Sequence, residues 1–236
     1  MFSERMKAVS TYALLFVMMY ICLAESKHIW KPSPASTTTQ VPATRHRRSS
    51  QGKARAAAIG YGDPHMMTFD AQEYDFEGYC SYVLVKDCLQ KSFKITADFR
   101  GQYAPNKPPT KMVAITITGE GIPEIRLLED NTYSIGGQLH NNTRKTVNIH
   151  RDWGFITVRG SRPTVNLTGL KLIVIWNGGT HRVRINLDNT DMHGHVCGLM
   201  GNADGNPDND YIKPDGSIVY DVNEFGNSWA VPGSCP

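Results

Sequence analysis

From Gly60 onward, apolar residues fall in short runs, and in the clearest run they take every second position. Val113, Ile115 and Ile117 alternate with Ala114, Thr116 and Thr118, the period of a strand with one buried face. Runs rich in β-branched and aromatic residues predict strands at Tyr82–Lys86, Phe93–Arg100, Met112–Thr118, Thr146–His150, Phe155–Arg159, Leu170–Trp176 and Val183–Leu187. Turn formers separate them, among them Gly119-Glu120-Gly121, Gly136-Gly137 and Asn177-Gly178-Gly179. No long stretch keeps a helical period with caps. The expected fold class is all-β, an antiparallel β-sandwich over 60–236, long enough to bury an ample core.

The chain before Gly60 has another character. The one long apolar run, Tyr12–Ala24, follows Arg5 and Lys7 and ends Cys22-Leu23-Ala24. It is too short to cross a bilayer core of about 30 Å as a helix. A charged start, an apolar middle and small residues at −3 and −1 predict a secretory signal peptide over 1–24, cut after Ala24. Residues 25–48 are rich in Pro, Ser and Thr and have little to bury, so they read as an extended propeptide or linker. That segment ends Arg45-His46-Arg47-Arg48, a dibasic site of the kind that convertases with acidic clefts cut. Residues 49–59 form a polar, Ala-rich lead-in. With no second apolar run and no hydrophobic tail, a secreted, extracellular protein without a membrane anchor is expected.

Charge and cysteines sharpen this. The chain carries 25 Lys and Arg against 22 Asp and Glu, a formal +3. Seven of the basic and two of the acidic residues lie in 1–48, which leaves 18 against 20, a net −2, for the rest. That balance excludes nucleic acid as a partner of the body. Without Cys22, four cysteines remain, Cys80, Cys88, Cys197 and Cys235, an even number for an oxidising compartment. A strand at 82–86 would set Cys80 and Cys88 about 25 Å apart, far beyond disulfide reach. Two connectivities stay open, and both tie the N-terminal half to the C-terminal end.

Asp204-Gly205-Asn206-Pro207-Asp208-Asn209-Asp210 packs hard oxygen donors around a turn, a composition that suits Ca²⁺ better than zinc or copper. It is not an EF-hand loop, because Asn209 stands where Gly is required and Asp215 where a bidentate Glu is required. His193-Gly194-His195 beside Cys197 reads as exposed loop histidines rather than a transition-metal site. Ser228 lacks any nucleophile motif of the Gly-x-Ser-x-Gly type. Asn141-Asn142-Thr143 and Asn166-Leu167-Thr168 are sequons in expected loops or strand edges, so Asn141 and Asn166 are candidate glycan sites.

Several blocks coincide in order and spacing. Gly62-Asp63-Pro64-His65-Met66-Met67-Thr68-Phe69-Asp70 leads to Gly78-Tyr79-Cys80-Ser81-Tyr82. Cys197-Gly198-Leu199-Met200-Gly201-Asn202-Ala203-Asp204-Gly205, Asn209-Asp210 and Phe225-Gly226-Asn227-Ser228-Trp229 follow much later. Together they closely resemble the von Willebrand factor type D domain over about 60–235. The resemblance implies a disulfide-stapled β-sandwich with a calcium-binding loop, found in extracellular multimeric, mucin and matrix proteins. It implies side-chain ligands from Asp70, Asn202, Asp204, Asn209 and Asp210, a backbone carbonyl from Asn206, and Ca²⁺ as the cofactor in a structural role.

The chain departs from the family pattern at one disulfide. Ala58 and Met200 stand where members usually carry a cysteine pair. The resemblance then implies Cys80–Cys235 and Cys88–Cys197, no spare thiol and no disulfide-linked polymer. In several relatives, gel-forming mucins among them, Gly-Asp-Pro-His is cut by its own chemistry. That would make Asp63 the nucleophile, the Asp63-Pro64 bond the target and His65 the proton donor. No other catalytic residue is expected. The leading reading is a non-enzymatic, calcium-stabilised binding or matrix protein with an extracellular protein or matrix partner, biomineral matrix included. Alternatives are an enzyme on this scaffold, since ostracod luciferases resemble a pair of D domains, or the precursor of a short secreted peptide, as in a venom.

Overall fold

The computed structural model describes residues 56–104, 107–141, 146–150, 154–159 and 162–236. The signal peptide with Ala24, the propeptide with Arg45, Arg47 and Arg48, and most of the lead-in lie outside the described residues. Among the described residues, fifteen antiparallel strands make two sheets. The chain starts in one sheet with β1 (Ala56–Tyr61), β2 (His65–Met67) and β3 (Glu73–Asp75). It moves to the other for β4 (Ser81–Asp87), β5 (Phe93–Gly101), β6 (Thr110–Gly119), β7 (Ile122–Leu128), β8 (Tyr133–Ile135) and β9 (Gln138–His140). It returns for β10 (Thr146–His150), β11 (Gly154–Arg159), β12 (Arg162–Leu167), β13 (Leu172–Asn177) and β14 (Arg182–Leu187). β15 (Val196–Cys197) then closes the second sheet beside β4, and a short helix, α1 (Val222–Ser228), follows.

The eight-stranded sheet runs β10-β11-β12-β13-β14-β1-β2-β3, and the seven-stranded sheet runs β15-β4-β5-β6-β7-β8-β9. Side chains that alternate inward along these strands form one apolar core, including Phe93, Ile95, Phe99, Ile115 and Ile117 from one sheet and Val165, Val174, Trp176 and Ile185 from the other. Each such side chain, fully buried, contributes about 1.5–3 kcal/mol. Backbone acceptors and side chains bridge the sheets at one end. The Trp176 indole donates to Leu128 O (2.8 Å), and Gly178 N donates to Asn131 Oδ1 (2.7 Å).

All seven expected strands are present. Several more were illegible, each for a local reason. Pro163 and Asn166 disguise β12, but the β12–β13 ladder begins at Thr164↔Ile175, so Pro163 has a partner strand on one side only. Pro123, Glu124 and Arg126 do the same for β7, whose inward residues are Ile122, Ile125 and Leu127. Within β6 the expected phase is partly wrong. Met112 takes an inward position, while Val113 stays half-buried. A bulge between Asp98 and Phe99 in the β5–β6 ladder shifts the alternation there.

β1 begins at Ala56, inside the stretch read as lead-in, and pairs with β14 from Ala56↔Leu187 to Gly60↔Val183. Alanines carry little strand signal, yet Ala56 and Ala58 are buried because this inner strand lies close against the core. Cys80 is bonded to Cys235 and Cys88 to Cys197, the pairs that the resemblance implies, with Cα separations of 4.3 and 6.0 Å. Strand β4 holds Cys80 and Cys88 apart, and β15, paired at Val196↔Asp87 and Cys197↔Lys86, delivers Cys197 to Cys88. Ala58 and Met200 are both fully buried in the apolar core, where the adaptable thioether fills space without sulfur chemistry.

Candidate metal centre

The segment after β2 and the loop after β15 are fastened together before any polar site is considered. Phe69 N donates to Met200 O (2.9 Å), and the buried Tyr74 hydroxyl donates to Leu199 O (2.5 Å). These bonds bring residues 68–70 against 199–205. Asp70 then reaches across, accepting from Asp204 N on Oδ2 (3.1 Å) and from Gly205 N on Oδ1 (3.0 Å).

The loop folds back on itself around Asp204. Its Oδ2 accepts from the Asn209 amide (2.8 Å) and the Asn202 amide (3.1 Å), and its Oδ1 accepts from Asn206 N (2.8 Å). Asn202 also donates to Asn209 Oδ1 (3.1 Å). Pro207 and the Asn206 side chain, which accepts from Asp208 N, start a 3₁₀ turn that returns Asn209 and Asp210 to the cluster. Asp210 lies deepest, accepting from the Thr68 hydroxyl (2.6 Å) and Asn202 N (3.2 Å). Gly201 is required beneath it. Its φ is +77°, and a Cβ there would overlap the Asp210 carboxylate.

All six residues expected as ligands therefore meet in one hydrogen-bonded network. Thr68 and Gly201 belong to it and were not foreseen. Both stand inside the quoted blocks, but hydroxyl and glycine roles leave no distinctive spacing. Burial raises the Asp210 pKa to about 6, against the Thr68 and Asn202 hydrogen bonds, and the charges of Asp70 and Asp204 add to the rise. For Asp204, burial acts upward, but the Asn209, Asn206 and Asn202 donors outweigh it and hold the carboxyl below its ordinary value. As placed, the oxygens are tied to these donors. Among the described residues no three His, Cys, Asp or Glu side chains are gathered on one point as a metal would need. The donor set is nonetheless all oxygen with three carboxylates, the chemistry that Ca²⁺ accepts.

The other candidates disperse. Asp63 is exposed in the turn joining β1 to β2, with Gly62 at φ +63°. His65 is aimed at Asp75, Nδ1 to Oδ1 2.6 Å, and lies against the Tyr61 ring. His193 and His195 contact different backbone carbonyls, Leu187 O and Asp191 O. The Ser228 hydroxyl donates to Phe225 O (2.6 Å) within α1. Asn141 is exposed, while Asn142 and Thr143 of its sequon lie outside the described residues. Asn166 is in β12 between two neighbouring strands, not in a loop, and lies on the sheet's outer side.

The family profile of the von Willebrand factor type D domain matches residues 58–217. The chain belongs to this family. It is 33% identical to human zonadhesin over 182 residues, which is 74% of this chain and 6% of that protein. It is 32% identical to human mucin-5AC over 195 residues, 80% of this chain and 3% of the mucin, and 31% identical to chicken SCO-spondin over 178 residues, 75% and 3%. The chain thus spans a small fraction of the length of these relatives. Among the described residues no helix is long and apolar enough to cross a membrane.

Proposed function

We propose that this chain is a secreted, non-enzymatic extracellular binding or matrix protein that uses its type D domain as a calcium-stabilised scaffold. The observation that carries the reading is the convergence of Asp70 with Asn202, Asp204, Asn206, Asn209 and Asp210, residues far apart in sequence, through direct hydrogen bonds. These residues would hold Ca²⁺, and the ion would supply the positive charge that clamps the segment after β2 to the loop after β15. The family relation, with mucins and SCO-spondin among the relatives, supports the extracellular role.

The test is thermal unfolding of protein whose bound calcium has first been measured. Ion present at about 100 times its dissociation constant stabilises by about 2.7 kcal/mol, so chelation should lower Tm by several degrees. Asp204→Ala should remove most of that response. Unchanged melting after chelation of demonstrably loaded protein would overturn the reading.

A second, separable reading concerns the Asp63-Pro64 bond, favoured by the exposed Asp63 side, although Pro64 itself is buried, and by a His65 ring oriented by Asp75. The Asp63 carboxylate attacks its own carbonyl carbon, closing an anhydride as the C–N bond breaks. The Pro64 nitrogen leaves with a proton supplied by His65, and water reopens the ring. N-terminal sequencing after incubation at about pH 5–6 should find chains that start at Pro64, absent in Asp63→Ala. Intact chains after prolonged incubation would rule this out.

A further inference from the structure

We propose that the groove at the β4–β5 end of the seven-stranded sheet is a binding site for a sulfated glycan. The groove has a volume of about 620 Å³ and is lined in part by Lys86, Lys91, Lys94, Thr118 and Glu120. Lys86 and Lys94 are direct partners in the β4–β5 ladder, and Lys94 in turn faces Thr118 across β5–β6. Two like charges opposite each other on neighbouring strands repel and destabilise the sheet. Among the described residues, none of the three lysines forms an ion pair.

The acidic residues at the groove do not cancel this charge. Asp87 is buried and fully engaged, accepting from Leu89 N, Gln90 N, Ser92 N and the Ser92 hydroxyl. Those bonds shape the β4–β5 turn and so hold Lys91 at the rim. Glu120 is exposed on the opposite turn, whose N–H donates to Ser92 O (3.2 Å). Lys86 is also positioned, with its ammonium 5.3 Å from the centre of the Trp229 ring. The patch stands against the rest of the chain, since residues 49–236 carry 18 basic against 20 acidic residues. A local basic groove on a net-acidic body concentrates anions where the overall charge would repel them.

The chemistry points to sulfate groups on an extended ligand. Ammonium groups are compact point charges that pair with tetrahedral oxyanions without the planar fork that carboxylates match to arginine. The groove is an open trough rather than an enclosed cavity, with Thr118, whose hydroxyl is 3.5 Å from Lys94 O, and Gly119 beside the charges, which suits a flexible oligosaccharide. An anion bridging Lys86 and Lys94 would relieve their repulsion, and Lys91 would hold a second group on the same chain.

The experiment is a titration of the full chain with a heparin-derived octasaccharide at low and at physiological salt. Binding should weaken as salt rises. Lys86→Gln with Lys94→Gln should weaken it about tenfold, and Lys91→Gln less. Glu120→Gln should tighten it about twofold. Lys171→Gln, on an exposed turn of the other sheet, should leave it unchanged. Every variant keeps Arg45, Arg47 and Arg48, so whatever those contribute is common to all. Lys91→Gln and Lys94→Gln each alter an exposed side chain, which keeps the test valid if Lys86→Gln disturbs Trp229. A hyaluronan octasaccharide, with carboxylates alone, should bind more weakly, and equal affinity would overturn the assignment to sulfate. No binding by the wild-type chain at low salt, or equal loss in Lys171→Gln and the groove variants, would overturn the site.

Discussion

β1 enters the eight-stranded sheet between β14 and β2 and is held along its length by backbone pairs. The chain after Pro207 reaches the other sheet by different means. Its backbone touches β4 only at 229–231, where Val83 N donates to Trp229 O (3.0 Å) and Val231 N to Ser81 O (2.7 Å). The rest of its hold is side-chain work: Phe225 and Trp229 buried, Tyr211 stacked on Phe225 at 4.9 Å, and Cys235 bonded to Cys80. Regular ladders hold small residues such as Ala56 and Ala58, whereas an irregular tail needs large anchors and a covalent tie. The two attachments should therefore fail in different ways.

The largest expected effect is loss of the covalent tie. Cys80 and Cys235 enclose a sequence separation of 155 residues. Closing a loop of that size stabilises by about 4–5 kcal/mol in the chain-entropy model. Cys80→Ser with Cys235→Ser should lower stability toward that figure in denaturant titrations, with the tail exposed to protease first. A loss below about 1 kcal/mol would mean that the aromatic anchors suffice without the bond.

Phe225→Ala comes next. The ring is fully buried against Tyr74 and Tyr211, and the next residue of its helix, Gly226, leaves room only for the Phe76 ring. A buried Phe→Ala change costs about 3–5 kcal/mol. A value near 1 kcal/mol would show that the tail repacks, weakening the contrast with β1.

What could be read in advance follows the same division. Strands with apolar residues on both faces, such as β13 with Leu172, Val174 and Trp176 inward and Ile173 and Ile175 on the other face, announce themselves. β1 does not, because its inward residues are alanines and its evidence lies in the partner strand. The candidate metal residues were legible because Asp, Asn and Gly at fixed spacing carry the family pattern. Thr68 was not, since one hydroxyl toward Asp210 leaves no trace beyond the fold that brings them together. The lysine groove was equally hidden. Lys86 and Lys94 become neighbours only in the β4–β5 register, which shifts at a bulge between Val83 and Val85.

A smaller effect separates the turn chemistry from both attachments. Burial raises the Asp87 pKa, but the Ser92 hydroxyl and the N–H groups of Gln90, Ser92 and Leu89 outweigh it and hold the carboxyl below its ordinary value. A depressed carboxylate stabilises the fold fully above the unfolded-state pKa of about 3.9, and that contribution is lost as pH falls through the folded value. Asp87→Asn should cost about 1–3 kcal/mol at neutral pH and flatten the decline of stability below about pH 4. An unchanged acid limb would place the acid sensitivity elsewhere.

The smallest expected change is the one made at the β1–β2 turn itself. Both disulfides lie C-terminal to Pro64, so a cut between Asp63 and Pro64 leaves β1 without any covalent link to the sheet. Ala56–Gly60 would still pair with β14, Ile59–Tyr61 with β2, and Ala58 would still be buried. Withdrawal would leave backbone groups on β14 and β2 unpaired, and buried polar groups without partners are costly. The cut protein should therefore elute as one species with both pieces present, and separate only in denaturant. A specific protease site inserted between Asp63 and Pro64 makes the test independent of any self-cleavage. The melting temperature of the cut form should rise with protein concentration, as it does when folding includes association. Release of the N-terminal piece under native conditions would show that a backbone ladder alone does not hold this end, and the contrast between the two attachments would fail there.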